Sequence, residues 1–164
     1  MIGTTYILWL LVGAGLFAGI SVMHAYRSRW DSVMWAYVAL WIVKAGGAPI
    51  SMGQLIFWGA ASAIAICIMV LLPNVVRKSD LGVRFIVTGA LAGVAIGVLA
   101  NTMAAIIAGA ALGVIFGGVA ASRTRVGRVL DFPTKRFFNY LCAKGLPMVV
   151  AMSMIGILAS FLIP

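Results

Sequence analysis

Leu81 to Ala121 reads LGVRFIVTGALAGVAIGVLANTMAAIIAGAALGVIFGGVAA, forty-one residues with one charged side chain, Arg84. As a single helix it would be about 60 Å long at 1.5 Å per residue, twice the roughly 30 Å of a bilayer's hydrocarbon core. The segment must therefore turn. Its only polar pair is Asn101-Thr102, which predicts two apolar helices, 83–100 and 103–121, joined by a tight turn. Gly89, Gly93 and Gly97 are spaced by four, and so are Gly109, Gly113 and Gly117, with Ala105 and Ala121 extending the second series. Residues four apart share a helix face. In lipid, small residues let two backbones approach closely. Folding the chain at Asn101 sets Gly97 opposite Ala105, Gly93 opposite Gly109 and Gly89 opposite Gly113. The six glycines are thus the candidate helix-packing residues of a glycine-spaced hairpin, a glycine zipper.

Working outward, the rest of the chain has the same apolar character. Of 164 residues 64% are hydrophobic and only 9% charged, against about 25% charged in soluble domains. So short a chain cannot hide that much apolar surface from water. The fold class expected is all-α: one polytopic transmembrane helix bundle covering 1–164, with five to six spans. Apolar runs place spans near 2–23, 30–46, 51–72, 83–100, 103–121 and 146–163. The run 32–43 is short, and length alone would suit a re-entrant segment. Between the last two runs, Lys135, Arg136 and Lys144 mix with Phe137, Phe138, Tyr140 and Leu141. That composition predicts an interfacial helix over 134–144, broken from the last span by Gly145 and Pro147. Met1 to Tyr6 carries no Lys or Arg and so lacks the basic start of a secretory signal; the first run reads as a retained span.

Charge sets the orientation. Twelve Lys and Arg stand against three acidic residues, a net charge of +9. In a soluble protein that excess would point to nucleic acid, whereas cytoplasmic loops of membrane proteins collect Lys and Arg, so no nucleic-acid partner is expected. With six spans and the N-terminus outside, the inner loops hold Arg27, Arg29, Arg77, Lys78, Arg84, Arg123, Arg125, Arg128, Lys135, Arg136 and Lys144, which is eleven of the twelve; only Lys44 falls outside. Removing the short second span destroys this division, so the charge pattern argues for it. The location expected is a bacterial cytoplasmic (inner) membrane with both termini outside. The same charges favour anionic lipid of the inner leaflet, with Lys135, Arg136 and Lys144 as lipid-phosphate contacts.

Two glycine-spaced spans follow an apolar span and the basic linker LPNVVRKSDLG, Leu72 to Gly82, and precede a basic loop and a last span. This arrangement, from about Met52 onward, resembles a family of small glycine-rich bacterial inner-membrane proteins known as a domain of unknown function. The chain departs from that pattern in lacking its prolines and acidic residue around the second glycine span. The resemblance implies a membrane bundle and supplies no site residues.

Chemistry-bearing constellations are sparse. Ion-coupled transport usually places an ionisable group within a span, but Asp31, Asp80 and Asp131 all fall in inner loops, which argues against small multidrug exporters and carboxylate-driven antiport. His24 stands alone, without the clustered ligands of a metal site. Cys67 and Cys142 lack CxxC or CxxH company and read as buried free thiols. Ser62, Thr88, Ser153 and Ser160 are expected to bond back to their own helices. No catalytic, cofactor-binding or metal-binding residue is assigned, and no cofactor is called for. The nonapeptides 89–97 and 109–117 match at five of nine positions; read as an inverted repeat, they would suit a transporter. Two functions follow: a non-enzymatic structural, assembly or accessory protein, self-associating as a homo-oligomer or joining a membrane complex as a subunit, or alternatively a small transporter, flippase or channel for an anionic or lipid substrate.

Overall fold

The computed structural model describes residues 2–72, 80, 82–125 and 127–161. The basic linker residues Arg77 and Lys78, and the Pro73-Asn74 end of the third apolar run, lie outside the described residues. Every described element is helical: α1 (Ile2–Tyr26), α2 (Ser32–Ala45), α3 (Met52–Leu71), α4 (Val83–Leu99), α5 (Met103–Ser122), a 3-10 turn (Gly127–Leu130), α6 (Lys135–Tyr140), a π turn (Leu141–Gly145) and α7 (Leu146–Ser160). Among the described residues four stretches are long and apolar enough to cross a membrane: Ile7–Tyr26, Met52–Leu71, Met103–Ser122 and Lys135–Ser160. The chain is therefore an all-helical integral membrane protein by length and composition. Ser32–Ala45 and Val83–Leu99 are shorter apolar helices.

Local chemistry ends these helices. Three of them stop at a residue in the left-handed region: Ser28 (φ 56), Gly47 (φ 93) and Asn101 (φ 51). At the first, the Arg29 N–H donates to the His24 carbonyl and Ser28 N–H to Ala25; at the second, Ala48 N–H donates to Val43 and Gly47 N–H to Lys44. These are Schellman closures, which satisfy the last carbonyls of a helix. Helix α3 starts with a capping box, in which Ser51 Oγ accepts from Gln54 N–H at 3.1 Å and Gln54 Oε1 accepts from Ser51 N–H at 2.9 Å. Thr102 Oγ1 caps α5 by accepting from Ala105 N–H at 3.2 Å.

The structure corrects one boundary. Instead of breaking at Gly145 and Pro147, the chain runs as one helix from Lys135 to Ser160. The reason lies in the π turn. Leu146 N–H reaches back five residues to Leu141, which widens the helix, and Pro147 then falls in the first turn of α7, where a missing N–H costs little. At 26 residues this helix is about 39 Å long.

That C-terminal helix is the axis of the bundle. Met148, Ala151, Met152, Ser153 and Met154 are essentially inaccessible, enclosed by α2, α3, α4 and α5. The hairpin α4–α5 lies on one side and the hairpin α1–α2 on another. Gly156 lets α7 approach the first of these, since a Cβ there would stand 2.6 Å from methyl carbons of both Ile106 and Val94. Within α4–α5 the backbones themselves touch. A Cβ built on Gly93 would fall closer than 3.0 Å to the Gly109 carbonyl, one on Gly113 equally close to Gly89, and one on Gly97 to Ala105.

Candidate functional site

Lys144 is the one described lysine or arginine with its side chain buried, at 2% exposure. Its neighbours along the helix explain why. Phe137, Tyr140, Lys144, Met148 and Ala151 recur at spacings of three and four, a single face, and all five are buried. The ammonium donates to Ser28 Oγ, held in the α1–α2 turn by the left-handed backbone at that residue. Gly82, also left-handed (φ 72), starts α4 beside Tyr140; a Cβ there would lie 3.1 Å from the Tyr140 hydroxyl. Asp80 precedes Gly82 by two residues. Three separate elements thus converge on one polar knot at the end of the bundle that carries the basic segments. A π turn and an ionisable residue inside a membrane helix are each features that mark functional positions.

Next to the knot, α1 and α2 are tied by a second polar group. Asp31 Oδ2 stands 3.1 Å from His24 Nδ1 and 3.1 Å from Arg29 Nη2. Trp35 stacks on Phe17 at 5.4 Å between ring centres and meets the edge of His24 at 6.2 Å. Arg29 is more than half exposed, so its share of the pair contributes little to stability.

At the other end of α1 and α7 lies an apolar cleft of about 400 Å³. Leu10, Ala14 and Gly15 of α1 form one wall, Leu158 of α7 another, and the turn Gly46–Pro49 a third. Lys44, in the last turn of α2, reaches over to that turn, with Nζ donating to the Ile50 carbonyl at 2.6 Å.

The three expected lipid-phosphate lysines and arginine are not brought together. Lys135 and Arg136 are exposed, with Arg136 Nη1 donating to the Val129 carbonyl at 3.4 Å, whereas Lys144 faces inward. The sequence signal that locates it was its place on the Phe137–Ala151 stripe. The six glycines line the backbone contact of α4 with α5, inside the chain. Both cysteines are free but exposed, not buried, because each lies on the outward face of its helix, where lipid would cover it. Ser62, Thr88 and Ser160 donate to carbonyls of their own helices; Ser153, at the centre of the bundle, has no hydrogen-bond partner among the described residues. Compared with protein families, curated proteins and solved structures, the chain shows no match to any of them.

Proposed function

We propose that this chain is a non-enzymatic integral membrane protein of structural, assembly or accessory type, crossing a bacterial inner membrane six times with both termini outside and its basic segments in the cytoplasm. The observation that supports this reading is the filling of the bundle around α7. Its inward side chains along Met148–Leu158 are inaccessible and, Ser153 apart, apolar, and the cleft is mostly apolar and lies at one end. A polar cavity reaching mid-membrane would instead favour transport. The glycine stripes act as a zipper within one copy of the chain, so self-association would need another surface. Exposed apolar residues on several helices offer one, among them Leu8, Trp9 and Leu16 of α1, Ile56 of α3, Ile96 of α4 and Phe116 of α5. Affinity purification in mild detergent from the native membrane tests the reading. A partner retained in fixed ratio, or a defined homo-oligomer, supports it; a monodisperse monomer that moves solutes or lipids across vesicles overturns it.

A small transporter, flippase or channel for an anionic or lipid substrate is the second reading. It is favoured by Lys144, an ionisable residue within the π turn of a membrane helix, since both features tend to mark functional positions. Anionic lipid would meet Lys135 and Arg136 at the inner surface in either case.

A further inference from the structure

We propose that the apolar cleft between α1, α7 and the α2–α3 turn holds one acyl chain of a phospholipid, whose phosphate is taken by Lys44. The inference goes beyond the accessory reading and needs only that the chain is a membrane protein. At about 400 Å³ the cleft falls within the range of small-ligand pockets, roughly 300–1,000 Å³. Its walls are apolar side chains and glycines: Leu10, Ala14 and Gly15 on α1, Gly46 and Gly47 in the turn, Leu158 on α7. That lining suits a hydrocarbon better than a polar solute.

Two observations select the occupant. The first is charge. Lys44 is the single positive residue outside the basic segments; it sits in the last turn of α2, and its ammonium reaches the Ile50 carbonyl, next to Pro49 of the cleft wall. One of its three N–H donors goes to the Ile50 carbonyl, which anchors the ammonium beside the turn, and the others are the donors an anion would take. An ammonium and a phosphate make a charge-assisted hydrogen bond, the stronger kind. The second is size. A helix from a second copy, about 10–12 Å across with its side chains, would fill the cleft with roughly a single turn. A thin acyl chain can enter along its length while the headgroup stays at the level of Lys44.

Gly15 makes the claim testable without damaging the fold. A Cβ at Gly15 meets nothing within 4 Å, and the same is true of Gly19, which does not line the cleft. Gly15→Phe therefore fills the cleft, and Gly19→Phe is its control. The full chain is placed in nanodiscs with a trace of phosphatidylglycerol carrying a photoreactive group on one acyl chain, irradiated, and mapped by peptide mass spectrometry. Adducts are expected on Leu10, Ala14 and Leu158 in excess of the exposed Ile56 and Ile64 of α3. Gly15→Phe should lower the cleft adducts about tenfold while melting no lower than the parent; Gly19→Phe should leave them unchanged. Repeating the labelling with a diacylglycerol of the same chains should give about tenfold less cleft adduct than phosphatidylglycerol, and Lys44→Gln should remove that difference. Equal labelling of α1 and α3, or full labelling in Gly15→Phe, overturns the acyl site. An unchanged preference for phosphatidylglycerol in Lys44→Gln overturns the phosphate contact. Cross-links to a second copy of the chain at these residues would show a protein occupant and overturn the lipid.

Discussion

Gly93 and Gly109 meet backbone to backbone: a Cβ on either would fall closer than 3.0 Å to the carbonyl of the other. Nothing at this contact can swing aside, because the obstructing atoms are main chain. Gly93→Ala is therefore expected to destabilise by about 1–3 kcal/mol, the usual range for overpacking, and Gly93→Leu by more, since the two helices must part over several turns. Gly19→Ala, where the new methyl meets open space, should cost nothing. Thermal melting in detergent compares the three. Equal melting temperatures would show that α4 and α5 do not rely on this approach.

The polar knot predicts coupling between distant residues. Lys144 and Ser28 are 116 positions apart yet share a hydrogen bond. A double-mutant cycle of Lys144→Met and Ser28→Ala should yield an interaction energy of about 0.5–3 kcal/mol. Burial gives an independent readout: an amine-reactive label on the folded protein should modify Lys135, which is exposed, well before Lys144. Simultaneous modification would place Lys144 at the surface.

The capping box at the start of α3 should be energetically real. Ser51→Ala removes the acceptor for Gln54 N–H and is expected to cost about 0.5–2 kcal/mol. Gln54→Ala should cost less, and the double variant less than the sum, because each side chain satisfies the other's backbone. Strict additivity in melting measurements would contradict the reciprocal arrangement.

Much of the architecture was legible in composition. Apolar runs of about twenty residues between basic loops yield an all-helical membrane bundle, and the turn residue Asn101 marks a helix end by its tolerance of the left-handed region. Ser51 and Gln54 carry a capping-box spacing that can be read before any coordinates. The centre of the bundle was not legible. In a soluble protein an apolar stripe marks the buried face, but lipid demands apolar side chains on the outer face too, so nothing periodic separates α7, which is enclosed, from α1, which is not. Gly145 and Pro147, each taken singly, read as a break; the preceding π turn supplies the room that proline needs. Lys144 was assigned to the surface by its charge, although its spacing from Phe137 and Tyr140 put it on the buried stripe. The cysteines show the converse error, since a small apolar thiol can sit against lipid as readily as in a core.

Topology follows from charge. Reporter fusions after Arg29 and Arg128 should read cytoplasmic, as should one after Lys78 in the basic linker, and a fusion at Gly47 should read extracytoplasmic. The positive-inside division of eleven residues to one carries this expectation. An extracytoplasmic reading for the linker would reduce the number of crossings and remove the symmetry of the loops.

We propose that the bundle is a filled scaffold that carries neither solute nor lipid across the membrane. Purified protein reconstituted in liposomes of mixed neutral and anionic phospholipid, assayed for lipid scrambling and anion flux across a range of protein densities, tests it most directly. A scaffold should give rates equal to those of protein-free vesicles at every density. A rate that rises with protein density, and falls when Lys144 is replaced by Met, would contradict it and establish the transporter in its place.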